Sequence, residues 1–238
     1  AVAVEVAAMS AVLVPRPQAP QGSAQLRRAW PAHRLEDRRQ QPVAAQVLRQ
    51  QHQAQLARRA VAVPGNAGDP EHRAEAVRTA IDTFGGFDTW VNVAGGSIYG
   101  RLREISDADH ERLIQTNFWG TVYGSLVATE HLRQHGGALI NVGSIASDLA
   151  FPFQGMYAAS KHAVKGFTDA LRMELADLES PISVTLVQPT AVDTPYPEHA
   201  RSYLTAEPKL PTPMIDPERV ADAILDAATN PTQYAKVW

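Results

Sequence analysis

"QGMYAASKHAVKGF", Gln154 to Phe167, sets a tyrosine four residues ahead of a lysine in a stretch that otherwise has the pattern of an amphipathic helix. The chain holds four lysines and none precedes Lys161. On a helix, positions i and i+4 share a face, so Tyr157 and Lys161 point toward the same cleft. A free phenol, with a pKa near 10, is a poor base at neutral pH, and an ammonium close by favours the phenolate. The reading is therefore of a tyrosine made titratable by its lysine, and the elements around it must build a cleft for the pair.

Those elements alternate. The runs "AVAV" (60 to 63), "TWVNVA" (89 to 94), "ALINVG" (138 to 143) and "SVTLVQ" (183 to 188) read as short strands. Helical stretches separate them. "PEHRAEAVRTAIDTF" opens with Pro70 after Asp69 and stops at Gly85 and Gly86, and a second helix runs from the cap Ser106 to Gly136 and Gly137. Strands alternating with helices predict an α/β fold, a single parallel sheet covered by helices.

Bulk properties narrow the partners. The 238 residues, 45% of them apolar, suffice for one domain with a substantial core. A formal net charge of -3 gives no basic field for nucleic acid, and no run of like charge marks a membrane-binding face. The absence of cysteine excludes disulfides, thiolate catalysis and cysteine-held zinc, and fits a cytoplasmic location. The apolar opening "AVAVEVAAMSAVLV" lacks a leading positive charge, carries Glu5 and reads as a strand region.

Other residues join the pair. Ser144 ends the strand "ALINVGS", thirteen residues before Tyr157, at the carboxyl edge where parallel sheets present functional groups. Asn117 sits inside a helix, where asparagine is a poor choice unless its amide has a polar task. "WVNVAGG" closes a strand with small residues that let a flat ligand approach the backbone.

In their order and spacing, the Asn-x-Ala-Gly turn, the helix asparagine, the serine, Tyr-x-x-x-Lys and Pro-x-x-Val-x-Thr resemble the short-chain dehydrogenase/reductase family over roughly 61 to 230. The resemblance implies a doubly wound, Rossmann-like three-layer fold and an NAD- or NADP-dependent oxidoreductase that interconverts a secondary alcohol and a ketone. It implies that Tyr157 exchanges the proton, that Lys161 lowers its pKa and holds the nicotinamide ribose, that Ser144 polarises the carbonyl and that Asn117 holds a water. It further implies cofactor contacts from Asn92, Ala94, Gly95, Pro189, Val192 and Thr194. The position that commonly contacts adenine through an aspartate is Asn66, whose carbonyl oxygen can accept a hydrogen bond. The alternative is a silent family member used for binding or scaffolding. No metal site is expected: His131 and His135 lack a third ligand and read as solvated residues near a helix end.

Two positions depart from the family, Val93 in the turn and Thr190 after Pro189. The proline-rich segment from about 194 to 216 is expected to lid the substrate site, with Tyr196, His199 and Tyr203 as candidate contacts. Apolar residues on more than one face of the helices 106 to 135 and 155 to 178 (Leu113, Phe118, Val122, Leu126; Met156, Val164, Phe167, Leu171, Leu175) point to a homodimer or homotetramer built on them.

Residues 15 to 59 stand apart, with ten glutamines, nine arginines and one glycine, Gly22. The phosphate-binding turn is expected after "SAVLV", and "PRPQAPQG" stands there. Three prolines remove three N–H donors, leaving Gly22 as the one residue able to meet a phosphate closely. Either the loop has changed and the cofactor binds weakly, or this segment is the product of a misread frame. In both cases the backbone from 9 to 60 is expected to form strand, helix and strand.

Overall fold

Asp69 accepts from the N–H of Glu71 and caps the first helix, α1 (Pro70–Phe84), while Gly85 in the left-handed conformation ends it. These are the bounds its cap residues predict. The computed structural model describes residues 12–14 and 63–238. The expected phosphate turn with Gly22, the helix and second strand expected within 9 to 60 and most of the strand at 60 to 63 lie outside the described residues.

A five-stranded sheet runs β1 (Val12–Val14), β2 (Thr89–Asn92), β4 (Gly137–Val142), β5 (Ile182–Pro189), β7 (Tyr234–Val237) in spatial order. All neighbours from β2 to β7 are parallel. β1 is antiparallel to β2, with Val12 opposite Val91. The expected Rossmann start, a first strand parallel to the rest, is thereby corrected. An antiparallel edge strand on an otherwise parallel sheet satisfies the same ladder of N–H and C=O groups.

The crossovers are α2 (Asp107–Ile114), continued through a π-helical turn (Gln115–Trp119) into α3 (Gly120–Leu132); then α4 (Gly155–Asp177); then α6 (Pro217–Thr229), after the one-turn α5 (Tyr196–His199). Strand side chains alternate between faces. Trp90, Leu139 and Val184 pack against Val77, Ala128, Leu132, Leu171 and Leu175 from α1, α3 and α4. Val91, Ile140 and Val187 face the other way, onto Ala227 and Ile224 of α6. The sheet is thus covered on both faces.

Five of the residues expected to serve self-association are core instead: Leu113, Val122, Val164, Leu171 and Leu175 are buried. The large apolar side chains left outward on these helices are Trp119, Leu126, Met173 and Leu178, the last two more than 70% exposed. A small second ladder pairs β3 (Ile98–Tyr99) with β6 (Arg201–Ser202) and fastens the proline-rich segment to the chain after β2.

Polar groups cross the core where apolar ones would be expected. Asn92 accepts from Trp90 Nε1 at 2.9 Å and donates to Ser125 Oγ at 3.1 Å and Asn141 Oδ1 at 2.8 Å; Asn141 donates to Thr168 Oγ1 at 3.0 Å. All are buried; the Trp90 bond lies within β2, and the others link a strand to its neighbour or to α3 or α4. A satisfied network of this kind specifies one register, and deleting a member orphans the rest. Asn141→Ala is expected to lower the unfolding free energy by about 2–4 kcal/mol, read as a lower urea midpoint at unchanged slope.

Candidate functional site

Three adjacent parallel strands end side by side, and beyond their carboxyl ends stand Ala94 and Gly95 after β2, Ser144 after β4, and Val192 and Thr194 after β5. Helix α4 carries Tyr157 and Lys161 on its first two turns. The chain reaches α4 through a one-turn 3₁₀ helix (Ile145–Ser147) that Ser144 caps, its Oγ accepting from Ala146 N at 3.1 Å.

Lys161 is 5% exposed and donates to the Val142 carbonyl at 3.0 Å. That bond uses one of the ammonium's three hydrogens. Burial depresses its pKa from 10.5 to about 8. Nζ lies 5.9 Å from the centre of the Tyr157 ring. The Tyr157 phenol is nonetheless held above its ordinary value, because burial outweighs the hydrogen bonding of Ser144 and Tyr196 that pulls it down. Lys161 is not among the groups that lower it. Both groups are desolvated together, and desolvation moves each toward its neutral form.

Asn117 is fully buried because the π-helical turn rotates it inward. Its Oδ1 accepts from Gly96 N at 2.8 Å, and Nδ2 donates to Gly96 O at 3.0 Å and to Ser160 Oγ at 3.0 Å. Both amide hydrogens are spent, so the side chain braces the Gly95–Gly96 turn against α4. Asn92 is equally committed, to Trp90, Ser125 and Asn141, and holds the sheet rather than facing a ligand. Asn66 is exposed and its Oδ1 accepts from Gly68 N at 3.0 Å, closing a turn. Pro189 ends β5, Thr190 is tied to Val237 O through both N and Oγ1, and Val192 bridges to Ile215.

Of the lid candidates, Tyr196 packs near Tyr157 with ring centres 6.4 Å apart. Tyr203 is an anchor: its hydroxyl donates to Asp109 Oδ2 at 2.6 Å, and Arg201 Nε pairs with the same oxygen at 2.6 Å. His199 is exposed. His131, read from the sequence as solvated, is packed: it stacks on Phe87 at 4.2 Å and its Nε2 accepts from Phe87 N at 3.4 Å. Among the described residues no cluster of three metal-ligating side chains occurs, and no helix is long and apolar enough to cross a membrane.

Sequence reasoning missed Ser97 and Tyr99, both buried on and before β3 beside the chain leading into α4: Gln154 Nε2 donates to Ser97 Oγ at 3.1 Å and Gly100 N to Phe153 O at 2.9 Å. The alternation in "SIYG" is the one signal that could have found them.

The sequence profile of the short chain dehydrogenase family matches residues 33–204. The chain belongs to that family. The match begins inside the glutamine-rich segment and ends before α6. YxnA, an uncharacterized oxidoreductase of Bacillus subtilis (strain 168), is 46% identical over 175 residues, 72% of this chain and 49% of its own. YusZ of the same organism, also an uncharacterized oxidoreductase, is 29% identical over 63% of this chain and 60% of its own. SadH, a putative oxidoreductase of Mycobacterium tuberculosis, is 37% identical over 112 residues, 47% of this chain and 41% of its own. The chain thus spans about half the length of the curated relative YxnA. Family membership supports an oxidoreductase of this type.

The buried Lys161 has a consequence for stability. Its folded pKa lies below its unfolded one, so the unfolded chain binds more protons between pH 8 and 10.5 and stability rises with pH across that window. Below pH 8 the full penalty of burying the ammonium is present. Lys161→Met is therefore expected to gain roughly 3 kcal/mol over the parent at pH 7, a gain that fades as pH rises toward 10.5. Urea unfolding of both proteins at pH 7 and pH 10 checks it.

Proposed function

We propose that the chain is an NAD(P)-dependent oxidoreductase that interconverts a secondary alcohol and a ketone, with Tyr157 as the acid/base. The observation that carries this reading is the convergence of Ser144, Tyr157 and Lys161 at the carboxyl edge of three adjacent parallel strands, where doubly wound folds bind their ligands. A scaffold protein has no use for an ammonium buried at the expense of stability.

The described residues fit a nicotinamide cofactor. Lys161 keeps two hydrogens for a ribose hydroxyl, and Gly95 leaves the space beside it open, since a Cβ there would stand 3.6 Å from Nζ. Ala94, Gly95, Val192 and Thr194 would hold the ring and ribose from the two sides of the cleft. Asn66 would meet the adenine with the lone pair that its turn does not use. The cofactor, when bound, supplies the hydride.

The chain's own residues do the rest. In reduction, the Tyr157 hydroxyl gives its proton to the developing alkoxide oxygen, and in oxidation the phenolate takes it back. Burial, which raises the phenol above its ordinary value, favours its protonated form, the donor that reduction needs. Ser144, beside Tyr157, hydrogen-bonds the same oxygen and orients it. Asn117, through Gly96 and Ser160, fixes the turn after β2 against the helix that carries both catalytic side chains. The apolar surface of Trp119, Leu126, Met173 and Leu178 supports association of two or four copies through α3 and α4.

Three outcomes test this. Tyr157→Phe is expected to lower turnover of a responsive ketone by ~10² to 10⁴ with the melting temperature unchanged; more than half of the parent turnover would refute the acid/base role. Lys161→Ala is expected to weaken NADH or NADPH binding, read by fluorescence titration. Light scattering at micromolar concentration is expected to give a mass at least twice 25.8 kDa.

A further inference from the structure

Tyr99 is 6% exposed, and its hydroxyl is one of the few buried side-chain polar atoms with no hydrogen-bond partner among the described residues. Buried phenols almost always find a partner, because an unpaired one forfeits the hydrogen bonds it had in water. Its place is informative. β3, which carries Tyr99, is fastened on one side to the approach to α4, through Ser97 with Gln154 and Gly100 with Phe153. On the other side it pairs with β6, Tyr99 opposite Ser202, and the Tyr99 carbonyl accepts from Tyr203 N at 2.7 Å. The one-turn helix just before β6 puts Tyr196 against the Tyr157 ring. Tyr99 therefore lies in the seam between the acid/base helix and the proline-rich lid. Burial and the neighbouring Tyr157 both raise its phenol, outweighing the downward pull of the nearby Ser97 hydroxyl.

We propose that the Tyr99 hydroxyl is a substrate-recognition group: it hydrogen-bonds a second oxygen of the substrate, so that the preferred alcohols are diols or hydroxyketones and not monofunctional ones. Among the described residues no group meets this hydroxyl with hydrogen-bonding geometry, and a ligand oxygen would complete it. A site built to pair a substrate oxygen rejects the analogue that lacks it, because the protein group is then left buried and unpaired. This inference rests on the reading of the Tyr157 cleft as an alcohol and ketone site.

The test measures binding, not turnover. Cyclohexanol is compared with 1,2- and 1,3-cyclohexanediol on the full chain in the presence of NADH and NADPH, where no alcohol can react, using calorimetry and saturation-transfer NMR. The better diol is expected to bind the parent about tenfold more tightly than cyclohexanol, and Tyr99→Phe, which keeps the ring and its packing, is expected to bring the ratio close to one. Equal affinities in the parent, or an undiminished preference in Tyr99→Phe, would overturn the role of Tyr99 while leaving the alcohol and ketone reading in place. Binding of neither alcohol nor diol would overturn both. Because the comparison within the parent needs no variant, a poorly folding Tyr99→Phe does not rescue the proposal.

Discussion

A chain of buried amides and hydroxyls, from Trp90 through Asn92 and Asn141 to Thr168, ties the two central strands to each other and to α3 and α4. Everything in the site depends on it. A parallel sheet with apolar faces can slide its helices with little penalty, because Val, Leu and Ile fill space without direction. The amides remove that freedom, since each has one set of partners and would be orphaned by a shift. With α3 and α4 fixed on the sheet, the residues they carry are fixed on the strand ends.

A second brace refines the first. Asn117 clamps both backbone groups of Gly96 and reaches Ser160, whose hydroxyl donates to the Tyr157 carbonyl at 2.7 Å. The turn after β2 and the first turn of α4 thus move as one. Lys161 is pinned from the other direction by the Val142 carbonyl at the end of β4. Below, Asp148 joins Lys165, Gln188 and Lys236, linking the turn after Ser144 to α4, β5 and β7, and these partners hold its carboxyl near pKa 2. These hydrogen bonds brace the strand ends and the first turns of α4 around the cleft.

Much of this was legible in the sequence, and the reasons are local. α1 could be bounded because Asp69, Pro70 and Gly85 each have a mechanism for starting or ending a helix. Strand positions followed from β-branched runs, and Asn117 stood out because a helix interior disfavours it. What was not legible depends on three-dimensional context. The π-helical turn has no residue that demands it, yet it rotates Asn117 inward. Nothing in "VLV" gives the direction of β1. Asn92 and Tyr203, expected at the cofactor turn and the substrate segment, have side chains committed to hydrogen bonds within the fold, which no sequence pattern gives. The coupling of Tyr157 to Lys161 was drawn from spacing alone, and spacing carries no information about how far burial raises a phenol.

In the proposed reaction this cleft passes a hydride between a nicotinamide and a carbon bearing oxygen, with Tyr157 handling the proton. The most direct measurement follows the hydride itself. The full chain is incubated with NADH or NADPH carrying deuterium at C4 and a panel of ketones, and the product alcohols are examined by mass spectrometry. One deuterium is expected on the carbinol carbon of at least one product, from one face of the nicotinamide only. Binding of neither cofactor, or product formed without deuterium, would contradict it.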